Sequence, residues 1–315
     1  MENRTAAMEF ILLGFLSDSR PQLLIFVVLL VAYLLTIVGN VLIITMTLVD
    51  HHLQTPMYFF LRNFSLLEIS FTSVVIPKAL ANMALGRKTI SLTGCFAQSF
   101  LYFILGTTEF LLLAVMSFDR YVAICNPLRY TAIMSSQVCI LLALGSWIGG
   151  ILFIIAPTIV LFQLPFCGQN VINHFFCDSA PLIKLACADT RLIERLVFII
   201  AVLSVLGTLT VNLVSYIKII STVRHIPSAK GRQKAFSTCT SHITVVSITY
   251  GSCIFMYVKP VWSGGLDLSK AIAILNTVVS PLLNPFIYSL RNRQVQEAIR
   301  KAVGQSATFC KNPKI

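Results

Sequence analysis

Charged residues are scarce in this sequence. Asp, Glu, Lys and Arg together make up 11% of its 315 residues, whereas soluble domains contain about 25%. Hydrophobic residues make up 57%, and they are gathered in long windows, as a membrane protein requires. The composition therefore argues against an ordinary soluble domain and predicts a single membrane-embedded domain.

Seven segments are long enough to cross a bilayer. Six are nearly free of charge, with Glu109 as their only Asp, Glu, Lys or Arg, and a seventh, about 57–85, is predicted from spacing although it contains Arg62, Glu68 and Lys78. Each has about 20 residues or more, enough for a hydrocarbon layer of ~30 Å at 1.5 Å per residue. The predicted fold is an all-α membrane protein, a seven-transmembrane helix bundle. Its six nearly charge-free windows are 22–49, 89–118, 130–177 (trimmed to a helix near 137–163 by Pro165, Cys167 and Gly168), 196–217, 235–258 and 271–290.

The charge distribution predicts the orientation and three parts of the chain. These parts are an extracellular tail (1–21), the bundle (22–290) and a cytoplasmic amphipathic helix and tail (291–315). With the amino terminus outside, the inner side holds 14 Lys and Arg and the outer side 10, in the direction of the positive-inside rule. Asn3 then lies in an outward N-glycosylation sequon.

The segment after the seventh helix has an amphipathic pattern. Val295, Ile299 and Val303 share one face, while Arg293 and Arg300 lie elsewhere. This pattern predicts a short helix at the lipid interface, and a solvated tail is the alternative.

Several function classes lack support in the sequence. No aromatic-basic interleaving indicates nucleic acid, so the basic excess is attributed to membrane topology and to a partner at the inner face. No repeat between halves supports an inverted-repeat transporter. No nucleophile or metal motif supports an enzyme. Residues 271–290 contain no Lys, which excludes a retinal Schiff base.

The most informative motif is residues 116–130, MSFDRYVAICNPLRY. It places Asp119 and Arg120 at the end of an apolar segment, where ionisable residues are costly and usually functional. This run resembles the third-helix signature of the tetrapod-type odorant receptors, a branch of the rhodopsin-like G-protein-coupled receptors. Further runs resemble the same family, although Thr249 stands where the family often has an aromatic residue. These runs are Gly39-Asn40, PMYFFL (56–61), Ser215-Tyr216, KAFSTC (234–239) with Ser241-His242, and PLLNPFIY (281–288).

The resemblance implies a function. The chain is expected to be a multi-pass plasma-membrane receptor that binds a small volatile odorant and activates a stimulatory olfactory G protein, raising cAMP. It implies no enzymatic activity and no cofactor other than a structural Na⁺. The alternatives are a non-olfactory chemosensor of the same family and, from another class, a transporter or channel.

Four cysteines are predicted to face the oxidising outer side. Cys95, Cys167, Cys177 and Cys187 suggest two disulfides, and spacing alone leaves three pairings open. The resemblance implies Cys95–Cys177 and Cys167–Cys187. Zinc binding by the three loop cysteines with His174 is the alternative.

Glu68 and Glu109 are predicted at one depth in the bilayer. Each lies 11 residues from the inner end of its helix, about 16 Å at 1.5 Å per residue. Close carboxylates share a proton or a cation, and Asn40 and Asn284 can reach a similar level. Receptors of the family hold Na⁺ near the second-helix acid, so the resemblance implies a sodium site. General acid–base catalysis by the two acids is the enzyme alternative.

The resemblance also implies a two-state switch at the inner end of the bundle. A guanidinium paired with its neighbouring carboxylate at rest can be freed to meet tyrosines and a partner helix. The residues assigned to this switch are Asp119, Arg120, Tyr121, Tyr216, His242, Asn284, Pro285 and Tyr288.

The ligand is expected in the outer half of the bundle. An amine receptor of the wider family has an Asp at the position of Tyr102. None is present here, and no charged residue occurs in the predicted set, which favours a largely apolar, uncharged ligand. Lys184, Glu194 and Lys259, nearer the mouth, leave an acid or amine open. Helical spacing and family position give as ligand-binding residues Tyr102, Phe103, Gly106, Thr107, Ile200, Ala201, Ser204, Tyr250, Cys253, Ile254, Tyr257, Ile274 and Thr277.

Overall fold

The structure is a computed structural model that describes residues 9–14, 19–167, 170–258, 265–291 and 295. Asn3, Lys259 and the side chain of Tyr257 lie outside the described part. So does most of the predicted helix after residue 291, of which only Val295 is described. Val295 is helical and buried against the main core.

Seven long helices follow one another and confirm the predicted fold class. Those that we label α1–α5 and α7 are long and apolar enough to cross a membrane. Helix α6 has 30 residues, about 45 Å at 1.5 Å per residue. The helices are α1 (Ser19–Val49), α2 (Pro56–Leu85), α3 (Leu92–Cys125), α4 (Ser136–Phe162), α5 (Arg191–Arg224), α6 (Ala229–Val258) and α7 (residues 265–291).

Helix α7 is not a uniform α-helix. It consists of Gly265–Ile274, a π-helical segment Leu275–Val279, and Ser280–Arg291. A π-helical turn adds a residue to the helical turn, so the face that α7 presents to the bundle changes along its length.

Local signals set the ends of several helices. The Ser91 hydroxyl accepts from the Gly94 N–H before α3, and Ser135 does the same for Val138 before α4. Both cap N–H groups that would otherwise lack a partner. Gly86 ends α2 with a φ of 64°, a left-handed conformation that glycine adopts at no steric cost.

Helix α3 lies at the centre of the bundle and packs against α2, α4, α5 and α6. Leu112 and Leu113 of α3 are completely buried in the main core. By contrast, apolar side chains such as Leu141, Leu152 and Ile217 are largely exposed on α4 and α5. A protein surface of this kind suits contact with lipid chains.

A small sheet closes one end of the bundle. Strands β1 (Glu9–Leu12), β2 (Thr89–Ser91) and β3 (Val171–Ile172) lie in the order β2-β1-β3, antiparallel between β1 and β2 and parallel between β1 and β3. Phe10 and Leu12 are buried beneath it. This sheet was not predicted from the sequence. We call this the sheet end of the bundle, and the opposite end the Arg120 end.

Candidate functional site

A cavity of about 160 Å³ lies among α3, α4, α5, α6 and α7, nearer the sheet end. An apolar cavity of about 150 Å³ is large enough to hold benzene, so the space suits a small organic molecule. Of the thirteen residues predicted to bind ligand, the structure brings eight onto its wall. These are Tyr102, Phe103, Gly106, Thr107, Ile200, Ala201, Ser204 and Cys253.

Aromatic rings form much of the wall. Tyr102 stacks on Phe71 of α2 with ring centroids 5.0 Å apart and packs edge-on against Phe103 at 5.2 Å. Phe71 also lines the cavity, as do Ile154 and Pro157 of α4. These α2 and α4 residues were not predicted from the sequence, because a helical stripe does not reveal which neighbouring helix it faces.

Four predicted ligand residues are absent from the described part of the wall. Tyr250 instead donates to Thr208 Oγ1 at 2.7 Å and accepts from Asn212 Nδ2 at 3.1 Å. Ile254 is 39% exposed. Their positions follow from the rotation of α6, which its own periodicity does not determine.

The other two, Ile274 and Thr277, are displaced by the π-helical segment. The hydroxyl of Thr277 donates to the Ala273 carbonyl, and its side chain is completely buried. Asn276 and Ser280 line the cavity in their place. Family position had predicted Ile274 and Thr277, and it gave no sign of the extra residue that the π-helical segment adds to α7.

A carboxyl side chain lines the cavity, although the set of residues predicted to bind the ligand contained no charged residue. Glu109 accepts a hydrogen bond from Thr249 Oγ1 at 3.1 Å, and both side chains line the space. Nearby, the Ser252 hydroxyl donates to Asn276 Oδ1 at 2.5 Å. The prediction of a ligand pocket without charged residues is therefore wrong, because Glu109 lines the cavity. The depth of Glu109 along α3 could be inferred from the sequence, whereas the direction of its side chain could not.

Glu68 and Asn284 of the predicted cation site are in direct contact. Asn284 Nδ2 donates to Glu68 Oε1 at 2.5 Å, and Glu68 interacts electrostatically with Glu109. Glu68 Oε2 is buried and has no hydrogen-bond partner among the described residues. Asn40 is also buried, but its amide donates to the Thr36 carbonyl of its own helix at 3.0 Å. A cation or a shared proton at the two acids would offset the cost of burying them.

At the Arg120 end, the guanidinium is held by its neighbours. Arg120 forms an ion pair with Asp119, and its Nη1 lies 2.7 Å from Met57 Sδ. The Tyr130 hydroxyl donates to Asp119 Oδ1 at 2.8 Å. Burial and the Asp119 carboxylate raise the pKa of Tyr130, so its hydroxyl keeps the proton that it donates. Asp119 and Arg120 are both buried.

The predicted tyrosine partners of Arg120 are engaged elsewhere. Tyr216 is hydrogen-bonded to His242 Nδ1 at 2.5 Å. The Tyr288 hydroxyl is buried without a hydrogen-bond partner in the part of the chain described, and its ring packs edge-on against Phe64. Tyr121 packs against the ring of Phe118. Arg120 is thus paired with Asp119, while the two-state switch stays a prediction.

Pro285 marks a close approach of α7 to α1. A Cβ built on Gly39 would lie 2.9 Å from Pro285 Cβ, so only glycine fits there without displacement. Pro285 cannot donate a backbone hydrogen bond inside its helix. These two features place a stretch of α7 that lacks one backbone donor directly against α1.

The four predicted outer cysteines form the pairs that the resemblance implies. Cys95 is joined to Cys177, with Cα atoms 5.4 Å apart, and Cys167 to Cys187, at 5.9 Å. The first bond ties α3 to the loop between α4 and α5. The zinc alternative is wrong for these residues, since their sulfurs are bonded to one another. No group of three or more His, Cys, Asp or Glu suited to a metal occurs in the described ranges.

Comparisons with known proteins agree with this geometry. A family model described as olfactory receptor matches residues 29–306. The mouse protein "Olfactory receptor 6E1" is 60% identical over 98% of this chain and 99% of its own length. The human "Olfactory receptor 6C75" is 55% identical over 96% of this chain and 97% of its own length. Squid rhodopsin superposes with a TM-score of 0.73 at 17% identity over 93% of this chain and 84% of its own, which supports the fold.

Proposed function

Because the chain belongs to the olfactory receptor family, we propose that it binds a small, mostly apolar volatile molecule in the α3–α7 cavity and activates a stimulatory olfactory G protein, raising cAMP. The chain is a multi-pass membrane receptor and not an enzyme. The observation that carries the proposal is the cavity itself, which is walled by aromatic and aliphatic side chains.

The size and chemistry of the cavity support a small ligand. About 160 Å³ is available, and burial of apolar area at about 25 cal/mol per Å² supplies the affinity. Ser204 and Thr107 on the wall add hydroxyl groups, each of which can orient a ligand by a hydrogen bond of about 0.5–1.5 kcal/mol.

The Arg120 end supports coupling to a G protein. At this end, α5 ends with Arg224, and the first turn of α6 contains Lys230 and Arg232. Arg120 lies between Asp119 and Met57. We propose that this end faces the cytoplasm of a plasma-membrane receptor, with the amino terminus outside. Release of Arg120 toward Tyr216 and Tyr288 would then open the G-protein site.

The test is an odorant panel applied to cells that express the chain with a stimulatory olfactory G protein and a cAMP reporter. Gly106→Phe should abolish responses at unchanged surface expression. A Cβ at Gly106 has room, with Phe71 3.8 Å away, so the larger side chain must extend into the cavity.

Gly145→Phe is the matched control, because Gly145 is exposed on α4 and a Cβ added there would meet nothing within 4 Å. This variant should respond like the parent. Parent-like responses from Gly106→Phe would place the ligand elsewhere. Odorant-gated currents that persist without G protein would favour the channel alternative.

A further inference from the structure

The part of the cavity wall nearest the Arg120 end is polar, and we call it the polar floor: Glu109, Thr249, Asn276 and Ser280. Glu109 comes from α3, Thr249 from α6, and Asn276 and Ser280 from α7. Ser252 connects them, since its hydroxyl contacts both the Thr249 carbonyl at 2.9 Å and Asn276 Oδ1 at 2.5 Å. Hydrogen bonds therefore connect Glu109, Thr249 and Asn276, and Ser280 lies with them on the wall of an otherwise largely apolar space.

Glu109 leaves acceptor capacity toward this space. A carboxyl group offers two oxygens with about four acceptor positions, and one of these takes the Thr249 hydroxyl at 3.1 Å. Glu109 is the only acidic or basic side chain among the described residues of the wall. It is also almost completely buried, so water is not freely available to complete its hydrogen bonds.

Ser280 adds a second, complementary group. Its side chain is 3% exposed and lines the cavity, and its hydroxyl has no partner within the described ranges. Buried hydroxyls are nearly always hydrogen-bonded, so Ser280 has an unused hydrogen bond at the floor. A serine hydroxyl can donate to such a partner as well as accept from it.

Thr249 is what makes the floor reachable. Its side chain is small, and its hydroxyl is turned to Glu109. An aromatic side chain at this position would occupy the space over Glu109. The small threonine of this chain thus leaves the Glu109 carboxyl group on the wall of the ligand space.

We propose that the ligand of this receptor is an alcohol, whose hydroxyl group donates to Glu109 and accepts from Ser280 while its apolar body fills the aromatic part of the cavity. This inference rests on the proposed function and specifies its ligand class. A hydroxyl group carries both a donor suited to Glu109 and an acceptor suited to Ser280. An aldehyde or ether lacks the donor, and an ammonium lacks the acceptor.

The probes are alcohols of about six to eight carbons and benzyl alcohol, chosen to suit the cavity. Each is compared with the aldehyde, methyl ether and amine of the same skeleton. In the parent, the alcohol should activate cAMP at a concentration about tenfold lower than its aldehyde or ether, a difference of 1.4 kcal/mol. Thr249→Phe should reduce this preference to less than about threefold, and Thr249→Ser should retain it.

Thr158→Val is the matched control, because Thr158 lines the same cavity but its hydroxyl donates to the Ile154 carbonyl at 2.7 Å. It should keep the preference for alcohols. A parent that ranks alcohols with or below their ethers, prefers the amines, or responds only to odorants outside these series overturns the inference and leaves the proposed function intact. A parent that responds to no odorant at all contradicts the proposed function itself.

Discussion

The Tyr130 hydroxyl donates to Asp119 Oδ1 at 2.8 Å, while Arg120 binds the other oxygen of the same carboxylate. Tyr130 lies outside the bundle, at the start of the short helix Tyr130–Ile133 between α3 and α4. The loop therefore holds Asp119 in the position that keeps Arg120 paired. A change in this loop should alter how readily Arg120 is released.

Tyr130→Phe should raise basal cAMP several-fold, because the ring remains while the hydrogen bond to Asp119 is lost. A hydrogen bond to a charged group contributes about 1.5–3 kcal/mol, enough to shift a two-state equilibrium about tenfold or more. Basal reporter activity, divided by surface expression, is the measurement. Tyr33→Phe, which removes the exposed hydrogen bond between the Tyr33 hydroxyl and Ser73, should leave basal activity near that of the parent.

Arg120→Ala should abolish agonist-driven cAMP while the receptor still reaches the cell surface. Arg120→Lys keeps the charge but lacks the planar fork of donors, so it should also lose most signalling. This variant replaces the alanine variant in the test if the alanine variant is unstable. Arg129→Ala, at an exposed position of the adjoining loop, is the control. Normal signalling from a well-expressed Arg120→Ala receptor would contradict the switch assignment.

The seven helices could be predicted from the sequence because each is encoded by a local run of apolar residues. The sheet could not, since β1 pairs with strands about 80 and 160 residues away along the chain, and strands of two to four residues carry little local signal. The π-helical segment of α7 was equally hidden. Asn276 and Ser280 line the cavity on α7, where family position had predicted Ile274 and Thr277. The depth of Glu109 followed from counting residues, but its contact with Thr249 depends on how α3 and α6 are rotated against each other.

Cys95→Ser and Cys177→Ser should each retain the receptor inside the cell. Loss of a native disulfide costs about 2–5 kcal/mol, and this bond also positions the Cys177 N–H, which donates to Gln98 Oε1 at 3.0 Å. Cell-surface staining is the measurement. Cys125→Ser is the control, because Cys125 is a free thiol whose contact with Thr222 a serine can keep. Peptide mapping that joined Cys95 to Cys167 would refute the pairing.

His174 should make the loop between α4 and α5 sensitive to acid. The ring is buried and stacks on Phe175 with centroids 4.7 Å apart. Burial, together with repulsion from Lys270, lowers the pKa of His174 to about 4. The unfolded chain takes up this proton at about pH 6.5. The stability that His174 contributes is therefore present above pH 6.5 and lost as the pH falls toward 4.

The measurement is the unfolding temperature of purified receptor at pH 7 and pH 5. The parent should lose stability over this interval, and His174→Gln should lose less. His225→Gln, at an exposed histidine, should follow the parent. Equal pH dependence of the parent and His174→Gln would show that other groups govern the acid response.

Glu68 and Glu109 should bind Na⁺ together in the resting receptor. Glu68 accepts from Asn284 through one oxygen, while its second oxygen is buried without a partner in the described ranges, and a neighbouring carboxylate adds repulsion. A bound cation relieves both costs. Binding to the folded state alone stabilises it by RT ln(1 + [L]/Kd), about 1.4 kcal/mol when Na⁺ is present at ten times Kd.

The unfolding temperature of the parent should therefore be higher in NaCl than in choline chloride of equal ionic strength. Glu68→Gln removes one carboxylate and should abolish most of the difference, with a change in basal or agonist-driven activity. Glu194→Gln removes an exposed acid from the first turn of α5 and should keep the full Na⁺ effect. This control separates a general loss of negative charge from loss of the Na⁺ site. Equal stability of the parent in the two salts would contradict cation binding and favour a proton shared between the two acids. A shared proton also avoids burying two negative charges, but it does not respond to Na⁺.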